Sequence, residues 1–247
     1  MLPTVTHQRS GRSSHGLQGI PEYVRRMKLA QMDLEYAFWQ MIYLLLAPRK
    51  VYRAVSWHNH TKNQWARDDP AFVVVMVFFL AVGSLAFAVA FNAAESLFSM
   101  ARIMFSTILI DFFAVGFLIS TVCWLLCNKF LVSGTGQGGG QSVELMYAFD
   151  VHCNSFFPFF LVSYIIQFAL LSVILNTSWL ALLLSNSMYF LAFGIYFYYT
   201  FLGYSEIPFL ENTVCFLYPI PALFVGYVLT LIFGFNISVS VMNFYFL

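Results

Sequence analysis

Ala71-Phe-Val-Val-Val-Met-Val-Phe-Phe-Leu-Ala-Val-Gly-Ser-Leu-Ala-Phe-Ala-Val-Ala-Phe-Asn-Ala93 contains no formal charge. About 20 apolar residues, at ~1.5 Å each, cross the ~30 Å hydrocarbon layer of a bilayer. Lipid offers the backbone no hydrogen-bonding partner, so a segment of this kind crosses as a helix. Four more segments read the same way: Ile103 to Cys127, which carries Asp111, and the charge-free Ser155 to Leu175, Trp179 to Phe201 and Thr213 to Phe235. The fold class expected is an all-α membrane protein, a five-transmembrane-helix bundle with an N-terminal interfacial amphipathic helix. Residues 1–22 read as a polar tail, 23–70 as a basic cytosolic region and 71–247 as the transmembrane domain. The connections, including the loop 128–150 with its glycine-rich centre Gly134 to Gly140, are too short for a folded domain outside the membrane.

Composition agrees. Of 247 residues 60% are hydrophobic and only 9% charged, against roughly 25% charged in a soluble domain. The net charge of +1 hides an asymmetry, because ten of the twelve Lys and Arg precede Ala71. Translocation disfavours basic residues beside a span, which predicts a cytosolic N-terminus and, after five crossings, a lumenal C-terminus. Residues 1–20 lack the apolar core of a cleavable signal peptide. Sequons at Asn59, Asn176 and Asn236 are expected to go unused, the first being cytosolic and the others pressed against the membrane.

A sixth apolar stretch, Tyr36 to Ala47, is too short to cross and is bracketed by Arg25, Arg26 and Lys28 on one side and Arg49, Lys50 and Arg53 on the other. Leu29, Met32, Tyr36, Trp39, Tyr43 and Leu46 repeat at helical spacing. That stripe suits either the headgroup boundary, where each nearby cation adds on the order of 1 kcal/mol on an anionic leaflet, or packing on the bundle. The six flanking cations are the candidate anionic-lipid contacts.

Few residues carry chemistry. Trp65, Arg67, Asp68 and Asp69 precede the first span; Asp69 suits an N-cap and Pro70 the first helical position, and the four form a candidate partner-binding surface. Asp111 costs roughly 2.5 to 3.5 kcal/mol at mid-span and, with Asn186, is a candidate intramembrane polar residue. Asp150 or Asn154 is read as the cap of the third span, and Tyr218-Pro-Ile-Pro221 as a break in the fifth. Cys123, Cys127, Cys153 and Cys215 read as buried thiols. No hydrolase, zinc-protease or phosphate-loop pattern occurs; no catalytic, metal or cofactor-binding residue is expected.

Five strings recur in order: Gln31-Met-Asp-Leu-Glu-Tyr-Ala-Phe-Trp-Gln-Met41, Ala47-Pro-Arg-Lys-Val-Tyr-Arg53, Thr61-Lys-Asn-Gln-Trp-Ala-Arg-Asp-Asp-Pro-Ala-Phe72, Tyr147-Ala-Phe-Asp-Val-His-Cys-Asn154 and Thr200-Phe-Leu-Gly-Tyr-Ser-Glu-Ile-Pro-Phe-Leu210. From about Tyr23 onward the chain resembles the uncoordinated-fifty family of eukaryotic Golgi membrane proteins; its glycine-rich loop departs from the more charged linker of that family. The resemblance implies a non-enzymatic Golgi protein associated with large Arf guanine-nucleotide exchange factors and with surface delivery of membrane cargo such as acetylcholine receptors. It also raises an inner-nuclear-membrane location with RNA as partner, for which the few scattered cations give no independent support. From the residues themselves, a small transporter or channel using Asp111 and Asn186 is the competing reading.

Overall fold

The computed structural model describes residues 32–54, 64–93, 96–133 and 141–246. These form α1 (Leu34–Leu46), helical residues 48–54, α2 (Ala71–Ala90), α3 (Leu97–Leu131), α4 (Leu145–Ala169), α5 (Trp179–Ser205), α6 (Thr213–Ile232) and α7 (Ile237–Phe246). Helices α2 to α6 are each long and apolar enough to cross a membrane, and the protein is a multi-pass membrane protein. Among the described residues no strand forms beyond an isolated bridge between Val132 and Leu210.

Helix α4 is the axis of the bundle. From Tyr147 to Pro158 every residue is buried, including Asp150, His152, Asn154 and Ser155. A helix surrounded by protein has no lipid-facing side, so its polar groups find partners on neighbouring helices. The expectation that Asp150 or Asn154 caps the third span is therefore corrected: the helix begins at Leu145, with Glu144 in the cap position, and both residues lie inside it. Helix α6 is the opposite case, since its Pro219–Ile232 segment has no buried residue. Its prolines do not break the span. A short 3-10 turn precedes Pro219, which opens the α-helical part, where a proline sacrifices no useful donor.

Two glycines permit close approaches. A Cβ on Gly203 would lie 2.8 Å from a Val151 methyl, and one on Gly116 would lie 2.4 Å from His152 Nε2. The Gly203 carbonyl also accepts from Tyr147 Oη at 2.6 Å, joining α5 to α4.

Helix α1 resolves the two placements open for the short apolar stretch, because its two faces differ. Ala37, Gln40, Met41 and Leu44 are buried against the bundle, and the Leu44 carbonyl accepts from Tyr199 Oη. The aromatic stripe lies beside that face: Tyr36 and Trp39 are exposed and stacked at 5.8 Å, Trp39 meets Tyr43 at 4.3 Å, and Lys50 Nζ stands 5.4 Å over Tyr43. One face of α1 is thus packed on the bundle, and the aromatic stripe beside it is left exposed, a surface of the kind that suits headgroups.

After α6 the chain reverses at Gly234, whose φ of +65° suits glycine. Helix α7, at 10 residues, spans only ~15 Å and is too short to cross. It lies across the far end of the bundle, where Phe246 stacks on Phe87 and Phe91, at 5.9 and 5.2 Å.

Candidate docking face and intramembrane polar residues

Residues 64–70 form an elbow between the N-terminal segment and α2, and α4 holds it by its backbone. The Glu144 carboxylate accepts from the Trp65 and Ala66 N–H groups, both at 3.1 Å. Asp150 Oδ2 accepts from Arg67 N at 2.6 Å. The Arg67 guanidinium turns inward, lies 4.2 Å over the Phe72 ring and donates to Asn154 Oδ1. Trp65 is buried against Tyr147 and Phe209, with ring centroids at 6.0 and 6.3 Å. A loop whose three consecutive amides donate to carboxylates is fixed in position, since bonds to charged groups are the strong class of hydrogen bond.

Asp69 ties two helix starts together. Its Oδ1 accepts from Ala71 N at 3.0 Å and its Oδ2 from Asp33 N at 2.7 Å, while Asp33 Oδ1 accepts from Tyr36 N at 2.8 Å and caps α1. The cap position itself falls to Pro70, one residue later than expected, while Asp69 still bonds the first amide of α2 and also anchors α1. Between α1 and the elbow opens a cleft of about 230 Å³, lined by Asp33, Tyr36, Gln40, Arg67, Asp68 and Asp69 among others. Of the four candidate partner-binding residues, Trp65 and the Arg67 head point into the protein, and Asp68 and Asp69 are half-buried at the cleft. Beneath it Tyr52 is buried beside Ser155 and Asn154, and burial holds its phenol well above the usual range, so it stays protonated.

Two strings far apart in sequence, Trp65 to Asp69 and Tyr147 to Asn154, are therefore one structural unit. The family model described as the UNC-50 family matches residues 23–246 and so covers both strings. The chain belongs to the UNC-50 family. It is 51% identical over 229 residues to "Protein unc-50 homolog" of Dictyostelium discoideum, covering 92% of this chain and 87% of that one. It is 42% identical to the rat protein of the same name and 41% to the human one, over 91% of this chain and 86% of each. No solved structure matches it.

In this UNC-50 family member the two intramembrane candidates have different surroundings. Asn186 is fully engaged: its Nδ2 donates to Thr230 Oγ1 at 3.1 Å and to the Phe235 carbonyl at 2.9 Å, and its Oδ1 accepts from Ile237 N at 3.0 Å. Ser185 Oγ, next to it, donates to Asn236 Oδ1 or Ser238 Oγ, at 2.8 and 2.7 Å. These bonds fasten the α6–α7 turn to α5. Asp111 sits in a π-helical stretch of α3, Ser106–Ala114, and accepts from Tyr245 Oη of α7 at 2.7 Å.

Of the candidate lipid contacts, Arg49, Lys50 and Arg53 are exposed just beyond α1; Arg25, Arg26 and Lys28 lie outside the described residues, as does Gly134 to Gly140. Among the described residues no group of three or more His, Cys, Asp or Glu is gathered to hold a metal ion, and the four cysteines are free thiols. Glu144 and Tyr52, both central to the elbow, were missed from sequence. Asp150 and Asn154 stand four apart, which places them on one helical face, and that spacing was the available signal for a shared partner.

Proposed function

We propose that this protein is a non-enzymatic Golgi membrane protein that recruits or orients a large Arf guanine-nucleotide exchange factor on its cytosolic, N-terminal face and so supports delivery of membrane cargo, acetylcholine-type receptors included. The supporting observation is the immobilised elbow: α4 carboxylates hold its backbone, and Asp68 and Asp69 line the cleft beside α1. A preorganised loop spends less ordering entropy on a partner than a free one. Family membership supports the pathway, and the cationic leader favours the cytosolic placement of this face.

Inward-facing Trp65 and Arg67 act in this reading as positioning residues, so the contact falls to Asp68, Asp69 and the α1 rim. Asp68→Ala is expected to reduce capture of the exchange factor while preserving Golgi residence. Equal capture by the variant and the unaltered protein removes the elbow from the docking surface.

A further inference from the structure

A second cavity, of about 470 Å³, lies inside the bundle among α2, α3, α4 and α5, with α7 at its far end. That volume is in the range of small-molecule sites, roughly 300 to 1,000 Å³. Its lining on α4 runs from His152 to Tyr164, roughly 18 Å along the helix axis. Most of this length is ringed by aromatic side chains, among them Phe156, Phe159, Phe193 and Phe197. At the near end His152 Nδ1 pairs with Tyr196 Oη at 2.8 Å, while its Nε2 is buried beside Gly116 without a hydrogen-bond partner among the described residues.

The polar groups gather at the far end. Asp111 takes the Tyr245 hydroxyl, and Tyr164, Tyr189 and Thr107 lie close by. Two of these residues occupy widened turns: Asp111 in Ser106–Ala114 and Tyr164 in Leu161–Ile166. Single π-helical insertions recur at functional sites because they displace side chains that a regular helix would place elsewhere. Asp111 is the one carboxylate in this lining, and no Lys or Arg accompanies it among the described lining residues. A carboxylate in a low-dielectric site without a counter-charge is costly, and an intramembrane ionisable residue calls for a named partner.

We propose that this cavity binds one long-chain amphiphile with a cationic amine head, the ammonium resting between Asp111 and the aromatic rings at the α7 end and the chain lying along the Phe-lined length. Three features fit this class together. The carboxylate supplies the opposite charge, Tyr164, Tyr189 and Tyr245 line the same end and are the kind of ring that attracts an ammonium, and the elongated apolar remainder matches an alkyl chain. The assignment is independent of exchange-factor recruitment.

The test uses the full chain in phosphatidylcholine nanodiscs, with empty discs subtracting partition into lipid. Saturable binding of radiolabelled dodecylamine is measured and competed with unlabelled dodecylamine, dodecanol, dodecanoate and ethylamine. Dodecylamine should compete at least about tenfold better than the alcohol or the acid, a difference of ~1.4 kcal/mol. Asp111→Asn, which keeps an acceptor for Tyr245, should erase the preference for amine over alcohol. Equal competition by dodecanol in the unaltered protein, an unchanged preference in the variant, or ethylamine competing as well as dodecylamine would each overturn the proposal.

Discussion

Replacing Glu144 by alanine isolates the bond set that fixes the elbow. Its carboxylate accepts from two consecutive amides, Trp65 and Ala66, both at 3.1 Å, and those residues are buried at 8% and 3% exposure. Each buried donor left without an acceptor costs about 1–3 kcal/mol. Glu144 itself is half-buried, so water reaches part of the gap and the low end applies, roughly 2–3 kcal/mol for the pair. At 1.4 kcal/mol per tenfold, the elbow should open roughly 30- to 150-fold more often. Native-state hydrogen exchange in nanodiscs reads this directly, since amides exchange through local opening: Trp65 and Ala66 should accelerate by about that factor in Glu144→Ala, and by less in Glu144→Gln, which retains one acceptor oxygen. The Arg67 amide, held by Asp150, should change less than its neighbours. Unaltered exchange at Trp65 and Ala66 would mean that the burial of Trp65, and not the carboxylate, fixes the loop.

Gly116→Ala places a Cβ 2.4 Å from His152 Nε2, and overpacking of this kind costs about 1–3 kcal/mol; thermal denaturation in detergent should show a lower Tm, whereas Gly194→Ala, with nothing within 4 Å, serves as the neutral control. Asn186→Ala removes one bond to α6 and two to the α6–α7 turn at ~0.6 kcal/mol each within a membrane, and hydrogen exchange over residues 236–246 should rise severalfold while α4 stays protected. Exchanging exposed Arg49, Lys50 and Arg53 for glutamine should weaken phosphatidylserine association by about 1 kcal/mol per charge. In nanodisc lipid-binding assays that loss should shrink at high salt, as screening requires.

The elements of this fold were legible where one residue type dominates a long run. Ala71 to Ala93 has no charge, and α2 runs from Ala71 to Ala90 within it. The start of α2 was legible to within one residue, because it is a local event: Pro70 takes the cap position expected of Asp69, and the Asp69 carboxylate bonds the amide two residues on. The third span was misjudged at its start for the opposite reason. Asp150, His152 and Asn154 look like a hydrated entry, and only their neighbours make them interior: Asp150 bonds the Arg67 amide, Asn154 the guanidinium and His152 the Tyr196 hydroxyl. Trp65 and Arg67 read as surface features from their local sequence, and it is α4 that encloses them.

Sequence alone determined that the chain crosses a bilayer five times, because apolar length against a fixed hydrocarbon thickness is a one-dimensional quantity. It also determined the family, through ordered strings along the chain. Tertiary structure alone decided which polar residues face one another: that Glu144 seats the elbow, that Asn186 fastens a turn, and that Asp111 meets Tyr245 at the end of a cavity. Those pairings depend on how helices rotate and cross, which is set by packing among residues distant in sequence and leaves no periodic mark on any one segment.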